Sequence, residues 1–152
     1  MSQPLAGIRV ADFSHVMAGP FASHLLRLMG AEVIKIESRS GDQFRNYGGD
    51  RRYDGMSPAF IAANVGKKSI ALNLKDPEEQ DIARRIVANS DVLIENFRPG
   101  VIARLGFGYE EVKRTNTGIV YCSVSGYGQE GPYRDWPAID NIVQATSGMM
   151  ML

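Results

Sequence analysis

Apolar positions come in short runs and periodic stripes that alternate regularly along the chain. Ile8 to Phe13 is a short apolar run. Phe21, Leu25 and Leu28 then recur at helical spacing in a segment opened by Pro20 and closed by Gly30, which predicts a strand followed by a helix. Val33, Ile34 and Ile36 form a second apolar run ending near Glu37. Strand, helix and strand with so short a crossover predict a βαβ unit and parallel pairing.

From Ser40 to Met56 the pattern breaks into Gly, Asp, Arg and Tyr, including Gly48, Gly49, Asp50, Arg51 and Arg52; this stretch is expected to be an excursion over the surface. Ser57 and Pro58 predict a short helix through Ile61, and Ser69 to Leu74 a third strand. Asp76, Pro77 and Glu79 supply an N-cap, a first-position proline and a capping-box acid, and Ile82, Ala83, Ile86 and Val87 give that helix one buried stripe. Val92 to Glu95 is the fourth strand. Short helices are expected from Pro99 to Leu105 and from Glu110 to Arg114, then a fifth strand from Ile119 to Val124. Gly126 to Pro137 is turn-rich, and Ile142, Val143, Ala145 and Thr146 predict a helix running into Gly148. Alternation of this kind places the chain in the α/β class, as a Rossmann-like parallel sheet with flanking helices.

Charge and composition narrow the partners. The 152 residues carry 17 basic and 17 acidic side chains, for a net charge of +0, and 44% are hydrophobic. No broad cationic field exists to hold a nucleic-acid backbone or an anionic membrane, so anion recognition must rest on local clusters and a small-molecule partner is expected. The single cysteine, Cys122, cannot form an internal disulfide, and no Cys/His spacing suits a structural zinc. No apolar run approaches the length of a membrane span, so a reducing, cytoplasmic setting is expected.

In an open parallel sheet the loops at the carboxyl ends of the strands converge on one edge, where ligands bind. Here those loops carry Ser14 to Gly19, Ser38 and Arg39, Asn73 and Leu74, and Asn96 to Gly100. They gather two arginines, a histidine, an amide and an aromatic ring, and Arg104, one short helix beyond Phe97, adds a third cation. Guanidinium groups give paired hydrogen bonds to phosphate, and an apolar surface suits a base. His15 has no acidic neighbour in sequence and is read as a binding-loop residue, while His24 is given no role. Cys122 is read as a small core residue. The G-x-G-x-x-G glycines of a dinucleotide site are missing from Ser14 to Pro20, although Glu37 stands where a ribose-binding acid would.

Several of these stretches carry a resemblance. Leu5 to Pro20, Leu28 to Glu37, Asn64 to Leu74 and, most specifically, Asp91-Val-Leu-Ile-Glu-Asn-Phe-Arg-Pro-Gly-Val-Ile-Ala-Arg-Leu-Gly resemble the class III CoA-transferases, a family that includes formyl-CoA transferases, carnitine CoA-transferases and α-methylacyl-CoA racemases. Ser125-Gly-Tyr-Gly-Gln-Glu-Gly-Pro and Asp140-Asn-Ile-Val-Gln-Ala-Thr-Ser-Gly extend the resemblance along nearly the whole chain. It implies that His15, Met17, Ala18, Arg39, Leu72, Asn96, Phe97, Arg98 and Arg104 line a coenzyme A site, with cations on the phosphates and Leu72 and Phe97 near adenine. Coenzyme A, as acyl-CoA, is then a substrate, and no metal is implied.

Such enzymes use an aspartate to attack the thioester, passing through a mixed anhydride and an enzyme-bound CoA thioester. The resemblance puts that aspartate after the Gln144 to Gly148 stretch, beyond Leu152, and leaves Asp140 as a substrate-proximal acid. The racemase branch carries a histidine immediately before the counterpart of Asp140; here that position is Ile139, which favours CoA transfer over racemisation. A non-catalytic nucleotide-binding module is the other alternative. Family members are several hundred residues long and form interlocked homodimers. Residues 1–152 are therefore expected to be the N-terminal CoA-binding segment of a longer enzyme, inactive alone, acting in full length on an acyl-CoA and a carboxylic acid.

Overall fold

In the computed structural model, described over residues 3–48 and 56–151, five strands form one wholly parallel sheet. In chain order the strands are β1 (Arg9–Asp12), β2 (Glu32–Glu37), β3 (Lys68–Ala71), β4 (Val92–Glu95) and β5 (Val120–Ser123), and across the sheet they lie β3-β2-β1-β4-β5. The helices are α1 (Ala18–Leu28), α2 (Pro58–Asn64), α3 (Pro77–Ala88), α4 (Val101–Arg104), α5 (Tyr109–Thr115) and α6 (Asp140–Thr146). Among the described residues no helix is long and apolar enough to cross a membrane.

Alternation along each central strand sends side chains into two cores. Ala11, Ile36 and Leu93 meet Ala83 and Val87 of α3, Ile102 of α4 and Val112 of α5 on one face, with Phe13 and Phe107 in ring contact at 5.0 Å. Val10, Val33 and Ile94 meet Leu26 of α1 on the other. The α3 stripe read from sequence is the one used: Ala83 and Val87 are buried, and Ile82 and Ile86 pack against the same core.

Caps explain where the helices begin. Asp76 accepts from the amides of Glu78 and Glu79, and the Ser57 hydroxyl accepts from Phe60 N–H at 3.0 Å, each filling an orphan donor of a first turn. The capping-box expectation for Glu79 is corrected. Its carboxylate accepts instead from the Asn73 amide at 2.6 Å and from Arg39, tying the β3 exit to the β2 exit.

Three other expectations change. Phe21, Leu25 and Leu28 do lie on α1 but face outward, while Gly19, Pro20, Ser23 and His24 are buried. The sheet face under the start of α1 carries the buried Asp12, paired with Lys67 at the entry to β3, so the small and polar side of the helix docks there. Gly19 is required by that docking, because a Cβ would stand 2.2 Å from the Ser14 Cβ. Cys122 is exposed rather than in the core, since β5 is an edge strand with an uncovered outer side.

The excursion after Ser40 is anchored rather than superficial as far as it is described. Asp42 caps a 3₁₀ turn, Gln43–Asn46, by accepting from Phe44 N–H at 2.9 Å, and both Asp42 and Phe44 are buried. Gly49, Asp50, Arg51 and Arg52 lie outside the described residues.

Candidate functional site

Strand order reverses between β1 and β4, and the loops leaving these two strands meet there. Neighbouring crossovers run to opposite sides at such a point and leave a crevice. The two loops are joined by a two-point hydrogen bond: Asn96 Oδ1 accepts the His15 N–H at 2.8 Å and Asn96 Nδ2 donates to the His15 carbonyl at 2.7 Å. The His15 and Phe97 rings pack at 5.1 Å with an interplanar angle of 51°. One ridge, made from a residue of each loop, thus stands at the switch point.

A cavity opens on each side of the ridge, and His15, Gln43 and Phe97 line both. The first, about 630 Å³, lies over the exits of β2 and β3 and is lined by Ser38, Arg39, Leu72, Lys75 and Leu105 among others. The second, about 690 Å³, lies over the exits of β4 and β5 and includes Met17, Asn96, Arg98, Arg134, Trp136 and Asp140. Together they form a divided groove of the size expected for a large, multi-part ligand.

Nine of the ten residues singled out from sequence border this groove. Arg39 and Leu72 border the first cavity, Met17, Ala18, Asn96, Arg98 and Asp140 the second, and His15 and Phe97 both. Leu72 is largely buried in the core and shows the groove only a small apolar surface. Arg104 borders neither cavity; it sits exposed at the end of α4. Arg39 is exposed and paired with Glu79, whose hydrogen bond and charge raise the arginine above its ordinary range. Asp140 opens α6, exposed, its Oδ2 accepting from Gln144 Nε2 at 2.6 Å.

Beneath the groove lies a set of buried charges of which local sequence pattern singled out only Glu37. Lys35 Nζ stands 3.0 Å from Asp42 Oδ2 and donates to the Ser14 carbonyl at 2.6 Å. Asp12 accepts from the Ser14 hydroxyl, from Ser23 Oγ at 2.5 Å and from Lys67 Nζ at 3.0 Å. Glu37, the would-be ribose acid, is engaged by Arg45, by Ser69 Oγ at 2.5 Å and by the Asp42 amide at 2.9 Å. Burial works to raise the Glu37 pKa, but these donors outweigh it and hold the carboxyl at about 2.

Burial also pushes His15 below the ordinary histidine range; Asp42 opposes that shift, Lys35 adds to it and Asp12 opposes it. A neutral imidazole at neutral pH suits a packing and hydrogen-bonding role. Lys75, on the rim of the first cavity, was also missed, although a cation between the third strand and the Asp76 cap was a signal that could have placed it.

Fold and site together define an α/β protein of the doubly wound type with a divided groove at the switch point. The chain belongs to CoA-transferase family III, whose model matches residues 5–152. It is 49% identical over 152 residues to an acetyl-CoA:oxalate CoA-transferase of Acetobacter aceti, covering 97% of this chain and 38% of that protein. It is 44% identical over 155 residues to a succinate–glutarate CoA-transferase of Agrobacterium fabrum, covering 98% and 39%. A crystal structure of a CAIB/BAIF family protein from Brucella suis superposes with a TM-score of 0.92 at 37% identity, over 100% of this chain and 41% of that one. The chain spans about two fifths of the length of the curated relatives it matches.

Proposed function

We propose that this chain forms the coenzyme-A-binding part of an enzyme that moves CoA from an acyl thioester to a carboxylic acid. The observation that carries the reading is the divided groove at the β1/β4 switch point, with Arg39 and Lys75 on one side of the His15–Phe97 ridge and Arg98 on the other. Cations beside an apolar ridge suit a ligand with phosphates at one end and a base to pack. The family membership supports the acyl-CoA as that ligand.

Coenzyme A is taken as substrate, and the expected chemistry uses a carboxylate to attack the thioester carbonyl. The C–S bond breaks, CoA leaves as thiolate, and a mixed anhydride forms. The thiolate then attacks the enzyme carbonyl, releasing the donor acid and leaving an enzyme–CoA thioester. The acceptor acid repeats the two steps in reverse. The nucleophilic aspartate is proposed to follow the Gln144 to Gly148 stretch in the full-length protein, with Asp140 near the acceptor. The 152 residues alone should bind coenzyme A without turning it over. An interlocked homodimer in the cytoplasm completes this reading.

Incubating the full-length protein with acetyl-, formyl- or succinyl-CoA and with oxalate or glutarate, then resolving the thioesters chromatographically, tests the proposal. Appearance of the acceptor's thioester is expected. Absence of transfer in every combination, together with no rise in thermal midpoint at saturating coenzyme A, would refute it, since a ligand of the native state must stabilise it. Wash-in of solvent deuterium at the acyl α-carbon without transfer would favour the racemase alternative, against which Ile139 counts.

A further inference from the structure

We propose that the buried Lys35–Asp42 pair is a positioning device that holds the His15–Val16 turn in the shape needed to grip coenzyme A. This inference rests on the reading of the groove as a coenzyme A site and assigns a role to two residues that the reading itself does not use.

The turn needs holding. Val16 has φ of 66°, the only non-glycine with positive φ among the described residues. A β-branched residue is crowded in that region and persists there only when its surroundings over-determine it. The surroundings do so. The Val16 N–H is shared between both carboxylate oxygens of Asp42, each at 3.2 Å. Lys35 Nζ, in contact with the same carboxylate at 3.0 Å, donates to the carbonyl of Ser14. The pair therefore grips the chain on either side of His15, while Asn96 grips His15 itself.

The cost of this arrangement argues that it is used. Lys35 and Asp42 have side-chain exposures of 1% and 0%. An ion pair so completely desolvated gives little or no net stability over apolar residues of the same volume. Its distinct product is geometric, since an apolar pair could fill the space but could not bind the Val16 amide or the Ser14 carbonyl. The turn sets where α1 starts, and α1 has no side-chain cap. The direction of the Met17–Ala18 backbone into the second cavity thus follows from the turn.

Two variants of the full-length protein separate positioning from plain stability. Lys35→Met/Asp42→Leu removes both charges and both grips. Asp42→Asn leaves Lys35 without its counter-charge but keeps an acceptor for the Val16 amide. The expected ranking reverses between two measurements. By thermal midpoint the double variant lies below the wild type, because the Val16 and Phe44 amides and the Ser14 carbonyl lose their partners, and Asp42→Asn, with a buried lysine left without its counter-charge, lies lower still. By calorimetric Kd for coenzyme A the double variant is weaker on the order of tenfold, and Asp42→Asn lies between it and the wild type.

The same ranking in both measurements, or a double variant with wild-type affinity, would overturn the proposal. If the double variant does not fold, Val16→Gly in the Asp42→Asn background decides. Glycine adopts positive φ without strain, so affinity should recover on the order of threefold, and no recovery overturns the idea. A wild-type protein that binds no coenzyme A would instead refute the proposed function before any variant is compared.

Discussion

Asn96 makes a two-point hydrogen-bonded pair with the backbone of His15, accepting its N–H at 2.8 Å and donating to its carbonyl at 2.7 Å. In effect one side chain replaces a rung of the sheet ladder just beyond the ends of β1 and β4. The two loops that flank the switch point thereby behave as one wall of the groove.

Asn96→Ala should leave both His15 groups without partners, costing about 1–3 kcal/mol of stability and weakening coenzyme A binding. Urea unfolding followed by circular dichroism measures the first effect and calorimetry the second. Asn96→Asp should recover little, because a carboxylate accepts the N–H but repels the carbonyl. Wild-type stability in Asn96→Ala would show that the pair does not organise the loops.

In the proposed coenzyme A site, Glu79 competes with a phosphate for Arg39. Its carboxylate holds the guanidinium at the rim of the first cavity while also accepting the Asn73 amide. Glu79→Gln keeps the amide acceptor and removes the charge. Solvent-screened pairs of this kind are weak, so coenzyme A should bind only a fewfold tighter, on the order of two- to fivefold, in the variant. Weaker binding would mean that Glu79 serves the ligand rather than competing for its partner.

The acid limb of stability should depend on Glu37. Its carboxyl is lowered from 4.5 to about 2, against the effect of burial, by Arg45, Ser69 and the Asp42 amide. A folded-state pKa below the unfolded one gives stability that is full above the unfolded value and is lost as pH falls from 4.5 towards 2. The depression corresponds to at most roughly 3 kcal/mol. Denaturant midpoints between pH 6 and pH 3 should fall less steeply in Glu37→Gln than in the wild type, although the variant starts lower. Parallel slopes would contradict the assignment.

Glu95 should act with the opposite sign. Burial raises its pKa, and hydrogen bonds from Ser123 and the Phe97 amide only partly offset this. The ionised form is disfavoured in the fold, so a penalty appears as pH rises through the unfolded pKa and is complete above the folded one. Glu95→Gln keeps an acceptor for the Phe97 N–H, seen at 2.9 Å. The variant should be more stable than the wild type at pH 8, with the gain vanishing in acid. Burial also raises the Tyr121 phenol, and the Glu95 charge adds to that shift, so the phenol should titrate nearer its ordinary range in the variant by ultraviolet absorbance.

Much of this molecule was legible in local patterns. The fourth strand matches its expected limits, Val92 to Glu95, and α3 starts after Asp76 and buries the expected stripe. These features depend on neighbours in sequence: a proline, a capping acid, a period of two or 3.6. The site was legible to the extent that it follows from topology. Once the strands are parallel, their exits share an edge, and His15, Arg39, Asn96, Phe97 and Arg98 come to it whatever the details.

Tertiary structure alone decided what lies beneath that edge. Lys35 and Glu37 occur in an apolar strand as Val-Ile-Lys-Ile-Glu, where alternation by itself reads them as solvent-facing. They are buried because the 3₁₀ turn brings Asp42 and Arg45 over them. Asp12 finds Lys67 across 55 positions only because β1, α1 and the entry to β3 converge. The same polar floor turns the apolar stripe of α1 outward, against what its period alone would predict, and the exposed end of α4 leaves Arg104 off the groove. Sequence by itself determined which backbone conformations were favoured and which chemical groups reached one rim. Only packing could select the partners of charges distant in sequence, because a buried charge is tolerable just where a specific counter-charge and hydrogen-bond donors arrive together.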